Sequence, residues 1–181
     1  IFSGNEFSVG GTLYNGDTVT STTLASAGAA GTATVGNYAI STSNAVGTGL
    51  GNYIISYADG TFAVNPAWLT ITANNQSKNY GSTFAFSGNE FTVGGTLYNG
   101  DTVTSATFAS AGAAGTANIG DYTINTSNAT GTGLGNYSIS YAPGTLHISP
   151  ALLTITANDQ KKAYGTSFIF LGNEFTTTGT L

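Results

Sequence analysis

The sequence contains no cysteine, a single histidine and only 6% charged residues. Its three basic residues are all lysines (Lys78, Lys161 and Lys162), and the net charge is −5. Nucleic-acid binding depends on cations that neutralise phosphates, so this composition argues against a nucleic-acid partner. The lack of cysteine excludes disulfide bonds, which are a common stabiliser of small secreted domains. Stability is therefore expected to come from packed cores.

Long hydrophobic runs are missing as well. No apolar run approaches the roughly 18–20 residues that a membrane-spanning helix needs, so we expect no membrane insertion. The first residues, IFSGNEF, have no basic region and do not look like a signal peptide. They fall inside a repeat, so we expect the chain to be a slice of a longer protein.

The residues that are abundant are those that favour strands. Hydrophobic residues make up 40% and aromatic residues 12% of the chain, which is enough for a core despite the low charge. Thr, Tyr, Val, Ile and Phe are common, whereas helix formers are scarce. The 26 glycines follow no Gly-X-Y period, which excludes collagen. We predict an all-β or nearly all-β fold.

A repeat of 84 residues organises the whole chain. The segment FSGNEF begins at Phe2 and again at Phe86, and a variant, FLGNEF, begins at Phe170. Residues 2–66 align with residues 86–150 without a gap and differ at only fifteen of 65 positions. Self-similarity at a fixed spacing indicates a modular polymer. We predict an incomplete first repeat (1–66, lacking its first strands), a complete second repeat (67–150) and the start of a third repeat (151–181).

Local patterns place strands and turns within the complete repeat. Leu69, Ile71 and Ala73 alternate with threonines, as in a half-buried strand, and residues 77–81 are predicted to form a second short strand. Asn99-Gly100 is typical of a tight turn. The alternation over 137–141 and 146–148, around Pro143-Gly144, predicts a β-hairpin. The small residues 111–115 fit a loop or one turn of helix.

The junction between repeats is short. Only four residues separate Ile148, in the last predicted strand of the second repeat, from Leu153, in the first strand of the third, and one of them is Pro150. Because proline fixes its φ angle, we expect the repeats to stack end to end into a rod. A β-solenoid is the alternative, although 84 residues is long for one coil.

Several blocks resemble a known family. LTITANNQSKNYG (69–81), GLGNYSISYAPGTLHISP (133–150) and LTITANDQKKAYG (153–165) are similar to tandem MBG-type domains of the YGX class. Such domains occur in large secreted bacterial adhesins, including filamentous-haemagglutinin-like exoproteins. The resemblance implies a small β-grasp-like domain, repeated on the bacterial cell surface and lacking catalytic residues. It supplies no ligand.

Candidate chemistry is sparse. His147 replaces Ala63 of the first repeat and is predicted to face solvent, and no second histidine or cysteine exists to complete a metal site. Turns such as Asn99-Gly100-Asp101 offer one carboxylate each, whereas calcium takes about six to eight oxygens. No nucleophile–base pair can be assembled. We therefore predict no catalytic residue, no metal, no cofactor and no enzymatic activity.

A lysine crosslink is a minor alternative. Some adhesins join a buried lysine to an asparagine beside a glutamate, and Lys78 and Glu90 recur as Lys162 and Glu174. However, the polar run Ser77-Lys78-Asn79 favours a solvated lysine over a buried one.

Four tyrosines are the candidate ligand-contacting residues: Tyr53, Tyr57, Tyr137 and Tyr141. They share one face of the predicted hairpin in the two copies, where aromatic pairs ordinarily stabilise a sheet. Core packing is the favoured interpretation, and stacking on sugars is the alternative.

Two functions follow from this pattern. The first is a non-catalytic structural or adhesive stalk on a secreted bacterial surface protein or filament, whose partners are neighbouring repeats and in which repetition provides avidity. The alternative is a carbohydrate-binding module that uses the tyrosines to bind host or matrix glycans.

Overall fold

The computed structural model describes residues 2–179, and this part of the chain is nearly all β. The strands are β1 (Thr18–Ala25), β2 (Gly36–Thr48), β3 (Gly60–Val64), β4 (Ala67–Ala73), β5 (Gln76–Asn79), β6 (Phe91–Gly95), β7 (Thr102–Ala109), β8 (Gly120–Thr132), β9 (Tyr137–Ala142), β10 (Gly144–Ser149), β11 (Thr154–Ala157) and β12 (Phe175–Thr178). The helical segments are three-residue 3-10 turns at Ala27–Ala29, Leu50–Asn52, Ala111–Ala113 and Leu134–Asn136. The all-β prediction is confirmed.

The chain divides into two compact units. Unit 1 comprises the chain up to Trp68 together with Leu97–Asp101 and Gly133–Ser138. Unit 2 comprises Leu69–Thr96, Thr102–Thr132 and the chain from Ile139 onward. The repeat boundaries at 66/67 and 150/151 stay predictions.

Unit 1 contains one antiparallel sheet in the order β1-β2-β3. The segments from the second repeat contact the first repeat through two asparagine side chains. The N–H of Val35 donates to Asn136 Oδ1 at 3.0 Å, and Asn99 Nδ2 donates to the carbonyl of Gly31 at 3.2 Å. Both asparagines thus satisfy backbone groups of the first repeat.

The first repeat has no fully buried hydrophobic side chain among its described residues, 2–66. Its residues 53–58 form no strand, although the equivalent residues of the second repeat form β9. Ile54 in this stretch is 103% exposed. Residues 7–11, equivalent to β6, also form no strand. Two segments that are strands in the second repeat are therefore unpaired in the first.

Unit 2 holds a four-stranded sheet in the order β5-β10-β8-β7 and a three-stranded sheet in the order β6-β4-β9. Ala73, Ile124 and Leu146 lie at the centre of its core, and Phe84, Phe86, Phe108 and Tyr122 pack around them. Burying a large aliphatic side chain stabilises a fold by roughly 1.5–3 kcal/mol, so this core is the main source of stability in unit 2.

The prediction of β4 from alternation is confirmed, because Leu69 and Ile71 lie in this strand and are only 1% and 0% exposed. The short strand predicted over 77–81 appears as β5, and it runs parallel to β10.

The hairpin predicted over 137–148 is wrong. β9 and β10 are both strands, but they belong to different sheets, since β9 lies beside β4 and β10 lies between β5 and β8. The chain changes sheet at Pro143-Gly144. Gly144 lies so close to Ala73 that an added Cβ would be 2.5 Å from the Ala73 carbonyl oxygen. Alternation identified both strands but could not identify their partners.

The small residues 111–115 form a 3-10 turn, capped by Ser110, whose Oγ accepts from Gly112 N–H at 3.3 Å. The ring of Tyr122 packs on Gly112, where a Cβ would lie 2.7 Å from the ring. This close packing explains the glycine at position 112. A β-grasp-like domain, which the resemblance implies, would have a helix at this position. The described residues form only this short turn there.

The third repeat contributes β11 and β12, which pair antiparallel in the register that β4 and β6 use. Their side chains are not covered: Ile155 is 63% exposed, whereas the equivalent Ile71 is 0% exposed.

The pairs β1–β2, β2–β3, β4–β6, β7–β8, β8–β10 and β11–β12 are antiparallel, and the pair β5–β10 is parallel. A β-solenoid requires stacked parallel coils, so the solenoid alternative does not describe this fold. No helix within residues 2–179 is long and apolar enough to span a bilayer.

Candidate functional site

The four candidate tyrosines use their hydroxyl groups to bind backbone amides. Tyr53 Oη accepts from Tyr14 N–H and Tyr137 Oη accepts from Tyr98 N–H, each at 2.8 Å. Tyr57 Oη accepts from Ala45 N–H at 2.9 Å, and Tyr141 Oη accepts from Ala129 N–H at 3.0 Å. Each hydroxyl therefore links its tyrosine to a backbone segment that lies 12 or 39 residues away in the chain.

The tyrosines do not pair with one another. The close ring pairs within residues 2–179 join phenylalanines, such as Phe86 and Phe108, whose ring centres are 5.7 Å apart. Tyr137 is buried at 8% exposure, while the rings of Tyr57 and Tyr141 are 45% and 40% exposed. Ligand stacking by these four residues stays a prediction, and it suits Tyr57 and Tyr141 better than Tyr137.

Tyr137 also donates to a carboxylate. Its hydroxyl lies 2.9 Å from Asp101 Oδ2, and Tyr53 makes the same contact with Asp17. The hydrogen bond from Tyr98 N–H would lower the pKa of Tyr137, but burial and the Asp101 charge outweigh it, so the pKa is raised.

The predicted Asn-Gly turn is confirmed and presents this aspartate. Asn99 and Gly100 have φ angles of 54° and 80°, and Asp101 N–H donates to the carbonyl of Tyr98 at 2.8 Å. Positive φ at both central residues is the geometry of a type I′ turn. Gly133 is left-handed at φ 69°, and a Cβ there would collide with the Asp101 carboxylate. The turn, the aspartate and the tyrosine form one structural unit, present in both repeats.

A cavity of about 270 Å3 in unit 1 lies beside this turn. Its polar walls include Asn99, Asp101, Asn136 and Tyr137. All four side chains already make hydrogen bonds to protein groups. The cavity therefore offers few free polar atoms to a ligand.

Glutamates close an equivalent turn in each repeat. Glu90 accepts hydrogen bonds from the backbone N–H of Ser87 and Gly88 at 2.7 and 3.0 Å, and from the Ser87 hydroxyl at 2.7 Å. Gly88 adopts φ 96°, so successive amides point inward in a nest that binds an anion. Glu6 and Glu174 fill equivalent nests.

These hydrogen bonds lower the pKa of all three carboxyl groups. The Ser3 N–H and hydroxyl lower the pKa of Glu6 to about 2, and the Leu171 N–H is the largest influence that lowers the pKa of Glu174. Burial would raise the pKa of Glu90, but the hydrogen bonds from Ser87 outweigh it, so the pKa is lowered. A carboxylate held by its own turn is a structural anion rather than a catalytic acid.

His147 faces solvent, as predicted, and its Nδ1 lies 2.6 Å from Asp121 Oδ1. Both side chains are more than half exposed, so the pair adds little stability. Within residues 2–179, no group of three or more His, Cys, Asp or Glu residues could hold a metal ion.

Lys78 contradicts its prediction as a solvated lysine. It is 9% exposed, and its ammonium lies 2.7 Å from the carbonyl oxygen of Ser82, 2.5 Å from that of Ala114 and 3.4 Å from that of Ala113. Three backbone carbonyls take the place of water around the ammonium, so Lys78 can be buried although its neighbours in the sequence are polar. No pattern in the sequence indicates this burial, since the lysine at the same position of the third repeat, Lys162, is exposed.

The model of the MBG domain (YGX type) matches residues 3–63 and 69–147. The chain belongs to the MBG domain family of the YGX type. Comparisons with curated proteins and with solved structures found no match.

The MBG repeat uses its Tyr-Gly-X block as a structural element. Tyr80 N–H donates to the carbonyl of Ser149 at 2.8 Å, which extends the β5–β10 pairing. Gly81 takes φ 86°, and the turn it makes presents the Ser82 carbonyl to Lys78. The block thus ties the start of the repeat to its last strand and to the Ala111–Ala113 turn.

Proposed function

We propose that this chain is part of a load-bearing stalk, built from MBG repeats of a secreted bacterial surface protein or extracellular filament and without catalytic activity. The observation that carries the proposal is the parallel pairing of β5 with β10. Tension along a chain of repeats would enter the second repeat before β4 and leave it after β10. The force pulls β5 toward its N-terminal end and β10 toward its C-terminal end, so the two parallel strands are pulled in opposite directions along their length. Their hydrogen bonds are therefore sheared together instead of being broken one at a time.

The recurring polar groups support the same proposal. The tyrosine hydroxyls bind backbone amides, the glutamates fill turns and Lys78 binds carbonyls. These groups hold the fold together, which suits a structural part better than a site that must bind and release a substrate.

The test is single-molecule stretching of the 181-residue chain. Because the sequence has no cysteine, Ala67→Cys and Ser149→Cys give unique handles at the two ends of the second repeat. We expect one abrupt unfolding event that lengthens the molecule by about 300 Å, the extended length of residues 67–149 at about 3.6 Å per residue, minus the folded distance between the handles. Gradual extension without a force peak would contradict a load-bearing role.

Carbohydrate binding is the second candidate, and the exposed rings of Tyr57 and Tyr141 favour it. Aromatic rings with a free face can stack on sugars. Tyr141→Phe keeps the ring and loses only the hydrogen bond to Ala129, whereas Tyr141→Ala loses both. Glycan-array binding that survives Tyr141→Phe and is lost in Tyr141→Ala would support this function. A chain that binds no glycan would exclude it.

A further inference from the structure

The turn at Asn99-Gly100 places an asparagine side chain next to an unhindered backbone amide. Both residues are exposed, and a Cβ added to Gly100 would meet no atom within 4 Å. The hydrogen bond that closes the turn comes from Asp101 N–H, which donates to the Tyr98 carbonyl at 2.8 Å. Among residues 2–179, no acceptor is found for the N–H of Gly100. This amide is therefore open to water and to the neighbouring side chain.

An asparagine side chain can react with the backbone amide that follows it. The Gly100 nitrogen loses its proton to hydroxide and attacks Cγ of Asn99, so that a new N–C bond forms. The bond from Cγ to Nδ2 breaks, and Nδ2 takes a proton from water and leaves as ammonia. Water then opens the resulting succinimide ring at either carbonyl, which gives aspartate or isoaspartate. Glycine favours the attack because it has no Cβ to obstruct it.

We propose that Asn99-Gly100 is a self-modification site, at which deamidation of Asn99 releases a link within unit 1. The intact carboxamide donates from Nδ2 to the carbonyl of Gly31 at 3.2 Å. Both products carry a carboxylate, which has no proton to donate when it is ionised and which repels the carbonyl oxygen. The Gly31 carbonyl therefore loses this partner. The chemistry depends on the turn alone and is independent of whether the repeats bear load.

Isoaspartate has a second effect, on the turn itself. It adds a methylene group to the main chain between residues 99 and 100, and a type I′ turn has no place for an additional backbone atom. The turn presents Asp101, whose Oδ2 accepts from the Tyr137 hydroxyl at 2.9 Å. The same hydroxyl accepts from Tyr98 N–H at 2.8 Å. Isoaspartate at position 99 should therefore disrupt both hydrogen bonds of this tyrosine.

Asn128 shows why an exposed asparagine is not sufficient. It also has a positive φ, 49°, and its side chain lies on the surface. However, the next residue is Ala129, whose methyl group obstructs the attack and whose N–H donates to Tyr141 Oη at 3.0 Å. Asn15 is the one other asparagine of the sequence that precedes glycine. Its turn has positive φ at both residues, so we expect it to react as well.

The test is incubation of the 181-residue chain at mildly alkaline pH, followed by peptide mapping with mass spectrometry. Deamidation replaces an NH2 group by OH, a mass change that the spectrum resolves, and an isoaspartate methyltransferase labels the isoaspartate product. We expect progressive loss of the unmodified peptide that contains Asn99, faster at higher pH, while the peptide that contains Asn128 stays intact. In the modified fraction, the N–H of Asp101 should exchange with solvent at least about tenfold faster.

Asn99→Gly is the matched control. Glycine adopts positive φ readily, so the type I′ turn is kept, but it has no carboxamide and cannot cyclise. Incubation should therefore leave the exchange of Asp101 N–H unchanged in this variant. The proposal would be overturned if Asn99 stayed unmodified for as long as Asn128. It would also be overturned if the modified parent chain kept the original exchange rate at Asp101.

Discussion

The ammonium of Lys78 lies 2.5 Å from the carbonyl oxygen of Ala114, although 36 residues separate the two in the chain. The contact fixes the small-residue turn against the Tyr-Gly-X block. It also places a positive charge in a nearly closed environment, where it is stable only because backbone carbonyls surround it.

Lys78→Met should destabilise the second repeat by about 1–3 kcal/mol, because it leaves three carbonyls without their charged donor. Lys162→Met is the matched control: the same residue type in the third repeat is exposed, and its loss should change stability by less than about 0.5 kcal/mol. Urea denaturation followed by circular dichroism measures both. Equal effects of the two variants on the free energy of unfolding would show that the buried contacts of Lys78 do not stabilise the second repeat.

Tyr137→Phe should lower the melting temperature of the second repeat by about 4–8 °C. The change removes the hydroxyl that accepts from Tyr98 N–H and donates to Asp101, so both groups lose a partner away from bulk water. Calorimetry measures the shift. Tyr80→Phe is the control, because Tyr80 is 47% exposed and its main contact is a backbone one; a shift as large as that of Tyr137→Phe would contradict the assigned role.

The glutamate nests predict a dependence of stability on pH. The folded-state pKa of Glu90 is lowered, so its stabilising effect is complete above the ordinary carboxyl pKa and is lost as the pH falls through the folded value. Glu90→Gln should therefore be less stable than the parent chain at neutral pH. The difference should shrink as the pH falls below the ordinary carboxyl pKa and through the lowered pKa of Glu90.

Thermal melts of the parent chain and of Glu90→Gln across this pH range provide the measurement. Asp159→Asn is a suitable control, since Asp159 lies in the exposed third repeat. A gap between Glu90→Gln and the parent that stays constant down to pH 2 would show that the nest does not stabilise the ionised form.

Much of the fold could be predicted from the sequence, because its strongest signals are local. The alternation of Leu69 and Ile71 identified β4, and Asn99-Gly100 identified a turn whose φ angles only such residues adopt readily. The repeat itself required no physical model beyond self-similarity.

What could not be predicted depends on partners distant in sequence. The alternation over 137–148 is the same whether β9 and β10 pair with each other or join separate sheets. Burial of Lys78 depends on carbonyls about 35 residues away, and a polar neighbourhood in the sequence gave no sign of them. The four tyrosines, for which the sequence favours core packing over sugar stacking, also accept hydrogen bonds from backbone amides, and this depends on loop positions that the sequence does not specify.

The load-bearing role is tested most directly by stretching the second repeat in two directions. Handles at Ala67→Cys and Ser149→Cys load the β5–β10 pair in shear, whereas handles at Ser77→Cys and His147→Cys, which are paired partners across these strands, peel them apart. If the parallel pair bears the load, the unfolding force should be clearly higher in the first direction than in the second. Equal forces in the two directions would contradict it.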